Sequence, residues 1–139
     1  MTTRASTGIA AVAIAGFVAC GGGSGRRVAL EPTQAVPAAM GRVEAERTDS
    51  GNTKVQVEVQ HLAPAGRVAA GSQVYVVWAQ RDKESAPQNI GALAVGNDRK
   101  GKLRTLTPLE RFEVFLTPEP VPGATEPTND PVMRSHVEP

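Results

Sequence analysis

The chain has one cysteine, two histidines, no surplus of either charge and no apolar run long enough to cross a bilayer. A single cysteine forms no internal disulfide, and a structural metal centre needs several ligands. The histidines, His61 and His136, lie far apart in sequence, and a thiol nucleophile needs a base held against it. The 15 Lys and Arg stand against 14 Asp and Glu, without the basic excess of a nucleic-acid binder or the clustered lysines of a strong anionic-surface binder. No GxSxG elbow and no calcium loop occurs. The glycine cluster GGGSG at 21–25 follows an apolar run and opens no helix, so it does not read as a phosphate-binding loop. These absences leave no metal, no cofactor and no catalytic set, and the expectation is a protein that is not an enzyme.

What is present begins with an export signal. Arg4 is the only charge ahead of the apolar run IAAVAIAGFVA. That run falls short of the roughly 20 residues of a transmembrane helix and fits the apolar core of a cleavable signal peptide. Phe17-Val18-Ala19 then precedes Cys20. This tripeptide and cysteine resemble the lipobox of bacterial lipoproteins, in which a sulfur-acylated cysteine becomes the first residue after cleavage. The resemblance implies lipidation at Cys20 and attachment to the membrane through that lipid. An ordinary secretory signal with an incidental cysteine is the other reading. Removing Arg4 with the signal leaves 14 cations against 14 anions, a neutral chain. Gly21 stands where an inner-membrane retention signal often has aspartate. The lipoprotein likeness therefore favours the outer membrane facing the periplasm, if the organism has two membranes.

The expected organisation is a signal peptide at 1–19, an acylated cysteine and flexible linker at 20–40, and a β-sandwich domain at 41–139. Gly, Ser, Pro and Ala dominate the linker, and no strand or helix period persists in it. Arg26 and Arg27 either touch anionic lipid or are simply solvated. From Gly41 onward the period becomes two, the mark of half-buried strands. In TKVQVEVQHL, Val55, Val57 and Val59 face one way while Lys54, Gln56, Glu58 and Gln60 face the other. RVEAER before it, with DSGN between, predicts a hairpin. QVYVVWAQ is apolar on both faces and reads as a central strand. QNIGALAVG, the loop NDRKG, KLRTLT and RFEVFLT follow, the last with Phe112, Val114 and Leu116 toward the core. His61 has the parity of Val59 and is expected at the rim of the core, and His136 near a frayed C-terminus. TPEPVPGATEPTNDP at 117–131 holds five prolines and reads as a semi-rigid connection beside the final strand, since proline cannot donate to a ladder. Six or seven short strands without a convincing helix predict an all-β, antiparallel sandwich.

The order VYVVWAQ, QNIGALAV, polar hairpin, LRTLTPLERFEVFLTPEP and ATEPTNDPVM is similar to the extracytoplasmic C-terminal domain of anti-sigma-K factors, across Gln73 to Met133. It also resembles small bacterial lipoproteins of unassigned function with the same strand series. The likeness implies an immunoglobulin-like β-sandwich. It brings no sigma-binding part, which lies in a separate cytoplasmic domain, and no catalytic residues. The expected function is a lipid-anchored envelope lipoprotein with a non-catalytic binding or structural module. A sensory domain without its signalling half, and an envelope enzyme or metal-binding protein, are the alternatives. Arg99, Lys100, Lys102 and Arg104 form a basic hairpin, with Glu110, Glu113, Glu119 and Glu126 as an acidic complement. The basic group is a possible surface for an unknown envelope partner, or a solvated face that discourages edge pairing.

Overall fold

The valines of Thr53–Gln60 (β3) are buried and the intervening polar residues are not, so strict alternation produces a strand with one wet and one dry face. Its hairpin partner is Met40–Arg47 (β2), with Val43 opposite Val57 and Ala45 opposite Val55. The computed structural model describes residues 25–139. In it these two strands join Arg26–Pro32 (β1), Val74–Gln80 (β4), Gln88–Leu93 (β5), Gly101–Thr107 (β6), Phe112–Glu119 (β7) and Met133–Val137 (β8). The strand order is β5-β4-β7-β8-β1-β2-β3-β6, antiparallel throughout and nearly closed into a barrel. β1, β2, β3 and β6 form one layer, and β5, β4, β7 and β8 the other. The all-β antiparallel sandwich is as expected. Among the described residues the one helical turn, Ala65–Val68 (α1), lies where the chain crosses from β3 to β4.

Two strands depart from the expectation. β1 lies within the segment assigned to the linker: Arg26 to Leu30 pair with Ala45 to Gly41 of β2, and Glu31 and Pro32 pair with Arg134 and Met133 of β8. The part of the expected flexible linker from Arg26 to Pro32 is thus a paired strand. Only Leu30 of β1 is buried, so pairing on two edges holds it and leaves almost no apolar period in the sequence. β8 likewise orders the C-terminal stretch: His136 sits opposite Glu113 of β7 and is not frayed. Among the described residues the count is eight strands instead of six or seven.

The core between the layers is built from Val43, Val55, Val57, Tyr75, Val77, Phe112, Val114, Leu116 and Met133. Tyr75 is fully buried, and its hydroxyl donates to the Ala63 carbonyl, tying the crossover to β4. Burial pushes its phenol up to about 12. β4 is covered on both faces, as its sequence predicts, but Trp78 is not in the central core. Val76 and Trp78 lie on the outer face of their layer with Phe115 as a second cluster, packed against Ala124 of the proline-rich segment. The Trp78 and Phe115 rings stack at 6.5 Å between centroids, and Trp78 Nε1 donates to Thr117 Oγ1 at 2.8 Å. Glu119 holds the cover in place. Fully buried, it accepts from the Thr128 amide at 2.7 Å and from the Thr128 hydroxyl at 2.6 Å. Asn89 Nδ2 donates to the carbonyls of Pro122 and Ala124, each at 2.9 Å.

The barrel's remaining edges, β5 and β6, meet without a ladder. Val77 is opposite Gly91 and Trp78 opposite Asn89, so Ile90 is the extra residue of a bulge, which sharpens local twist. Gly91 has φ +144°, and a Cβ there would lie 2.8 Å from Leu103 Cδ2. The close approach of Leu103 to bare backbone thus shuts the seam. The stretch 97–101 is correspondingly a link between layers, not a hairpin loop, and Arg99 instead of a glycine takes the positive φ, 58°.

Trp78→Ala should cost about 3–5 kcal/mol, the usual range for emptying a buried aromatic site; an unchanged urea midpoint would contradict the buried position. Tyr75 is the only tyrosine, so phenolate absorbance reports it alone. A folded value raised from 10.0 to about 12 means stabilisation present below the ordinary value and lost as pH rises through that window. Phenolate should therefore appear together with alkaline unfolding, and a freely reversible titration near the ordinary value in folded protein would refute the account.

Candidate partner-binding surface

The alternation that buries the valines of β2 and β3 sends their polar residues to the outer face of the first layer. In register, Ala29, Arg42, Glu58 and Lys102 form one row across β1, β2, β3 and β6, and Arg27, Glu44, Gln56 and Arg104 form the next. Glu58 sits between two cations: Arg42 Nη2 is 2.5 Å from one carboxylate oxygen, and Lys102 Nζ is 3.0 Å from the other. Gln56 Nε2 adds a hydrogen bond at 3.1 Å. The Lys102 ammonium holds the Glu58 carboxyl below its ordinary range; desolvation opposes it, and the Arg42 guanidinium and Gln56 add to the lowering. Arg27 meets Glu44 at 3.3 Å. Opposite charges directly across a ladder stabilise it and disfavour like-charged strand pairing.

Of the four basic residues singled out in the sequence, Lys102 and Arg104 share this face on β6, while Arg99 and Lys100 lie in the link that precedes it. The Arg99 carbonyl accepts from the Leu62 amide at 3.1 Å, and Asp98 Oδ1 accepts from the Lys100 amide at 3.3 Å. Two adjoining clefts run along this edge and share Glu58 and Gln60. One, of about 210 Å³, includes Met40 and Arg42; the other, of about 430 Å³, includes Ala94, Lys100 and Lys102. Met40 is 62% exposed beside the cations, an apolar contact next to a charged rim. The sequence showed the basic residues but not the pairing of Lys102 with Glu58, which depends on strand register.

The acidic complement does not assemble as a surface. Glu119 is buried on Thr128, Glu113 lies 3.7 Å from Arg134, and Glu110 pairs with Arg47 at 3.2 Å. The histidines occupy different layers: His136 meets Glu138 at 3.2 Å on β8, whereas His61 follows β3 at φ 56°. That left-handed residue breaks the alternation, so His61 is exposed and Leu62 takes the buried place, correcting its expected rim position. Among the described residues no group of three His, Cys, Asp or Glu side chains gathers as a metal site. A further cleft of about 410 Å³ lies at the end of the barrel that carries the crossover, among Thr33, Val68, Asn129 and Pro131. The Thr33 hydroxyl is buried there with no partner among the described residues. Cys20 lies outside the described residues.

Comparison with protein-family models, curated proteins and solved structures finds no match to this chain.

The lowered Glu58 carboxyl sets a pH dependence. Its stabilisation is present above the ordinary value of 4.5 and is lost as pH falls through the lower folded value. Between about pH 6 and about pH 3 the wild type should lose more stability than Glu58→Gln. Equal acid sensitivity in urea melts of the two proteins would show that the Arg42–Glu58–Lys102 row carries no such coupling.

Proposed function

We propose that the chain is a lipid-anchored envelope lipoprotein whose β-sandwich is a non-catalytic binding or structural module. The observation that supports this reading most is spatial order along the chain: an export-type apolar run, Phe17-Val18-Ala19-Cys20, five small residues, and then the first strand at Arg26. The cysteine precedes the first described strand by only residues 21–25, and as the only cysteine of the sequence it has no internal disulfide partner. One acyl chain gives marginal membrane binding, and two or more give stable anchoring. The mixed charge and exposed Met40 of the β1-β2-β3-β6 face support partner binding there. The leader's likeness to lipoprotein signals, with Gly21 after the cysteine, favours an outer-membrane position facing the periplasm in a two-membrane cell.

Fatty-acid labelling with envelope fractionation tests the anchor. Label and membrane association should both disappear in Cys20→Ser; label persisting in that variant, or a wild-type chain found soluble in the cytoplasm with its leader uncut, would overturn the reading.

A further inference from the structure

Arg26 is the first residue of β1, and only residues 21–25 separate it from Cys20. Five residues reach at most about 18 Å when fully extended and average roughly 12 Å as a flexible chain. A barrel carried on so short a leash cannot stand clear of the surface that holds its lipid. The strands rise about 3.3 Å per residue, so the eight residues of β3 alone exceed the leash. The end of the barrel at Arg26 is thus constrained toward the lipid, and the opposite end away from it.

The near end has a definite make-up. Arg26, Arg47, Glu110, Arg111 and Glu138 line one shallow cleft of about 320 Å³ there. Pro139 lines it too; Glu110 pairs with Arg47 at 3.2 Å, and the Glu138 carboxyl is held below its ordinary range by the His136 hydrogen bond at 3.2 Å first and by the charges of Arg111 and Arg26 as well. Arg26 spends one Nη1 hydrogen bond on the Glu138 backbone carbonyl at 3.3 Å, and among the described residues neither Arg26 nor Arg111 forms an ion pair with a carboxylate. Though both feel the Glu138 charge, neither guanidinium is held in a direct ion pair, so each keeps N–H donors for a negatively charged group approaching from the leash side. Planar, multiply donating guanidinium suits phosphate oxygens.

Resting on the lipoprotein reading, we propose that this end of the barrel docks on the bilayer, with Arg26 and Arg111 binding anionic lipid headgroups. The crossover end, with Arg99, Lys100 and the cleft at Thr33, then faces the periplasmic space.

The test uses the full acylated chain in vesicles of phosphatidylcholine with or without phosphatidylglycerol, the lipid carrying a headgroup quencher. A fluorophore is placed at Ser50→Cys, in the β2–β3 turn beside Arg26's end, or at Ala70→Cys, in the crossover. With phosphatidylglycerol present the Ser50 position should be quenched much more strongly than the Ala70 position. Arg111→Glu, which lies outside every strand, and Arg26→Glu should each reduce that difference while leaving fatty-acid label on Cys20 intact. Equal quenching at both positions in a labelled chain, or a difference insensitive to both charge reversals, would overturn the docking inference alone. Absence of fatty-acid label on the chain would overturn the lipoprotein reading and the docking with it.

Discussion

The pairing of one strand with two partners governs this molecule. β1 gives its first five residues to β2 and its last two to β8, so the layers become a single sheet curled on itself. Without β1, each layer would present an open edge, a template for unwanted strand pairing. Pro32 falls at the strand's end, where its missing N–H removes little from the ladder. Because β1 also follows Cys20 so closely, the same strand would set how far the folded body can stand from a lipid on that cysteine, as proposed.

The other seam is handled by side chains instead of hydrogen bonds. Gly91 offers bare backbone to Leu103, and the bulge at Ile90 turns β5 toward β6. The outer faces of the two layers diverge in a related way. One is laced with ion pairs around Glu58 and left to solvent. The other buries Trp78 and Phe115 beneath the proline-rich segment, which Glu119 and Asn89 hold down through Thr128, Pro122 and Ala124. Of these two outer faces, only the first is left exposed to solvent.

What the amino-acid order revealed tracks how far each feature depends on local pattern. Alternating apolar residues in β2, β3 and β7 are visible in the sequence, because burial of one face imposes a period of two. β1 is hidden, since paired backbone rather than apolar side chains holds it. β8 is hidden by its shortness and by the prolines before it. The parity that sends Phe112, Val114 and Leu116 inward also sends Phe115, Thr117 and Glu119 to the far face, yet alternation alone does not reveal that the next segment folds back to cover them. The basic residues of β6 were visible, whereas Glu58 between Arg42 and Lys102 required the register of three strands. His61 misled because a single left-handed residue resets the alternation.

Amide hydrogen exchange on the full chain probes the two-sided pairing of β1 most directly. Its slow amides, in Val28 to Glu31, should exchange only through global unfolding, at the same limiting rate as the slowest amides of β3. Exchange of that stretch at the rate of a frayed terminus, while β3 stays protected, would mean that β1 does not join the layers.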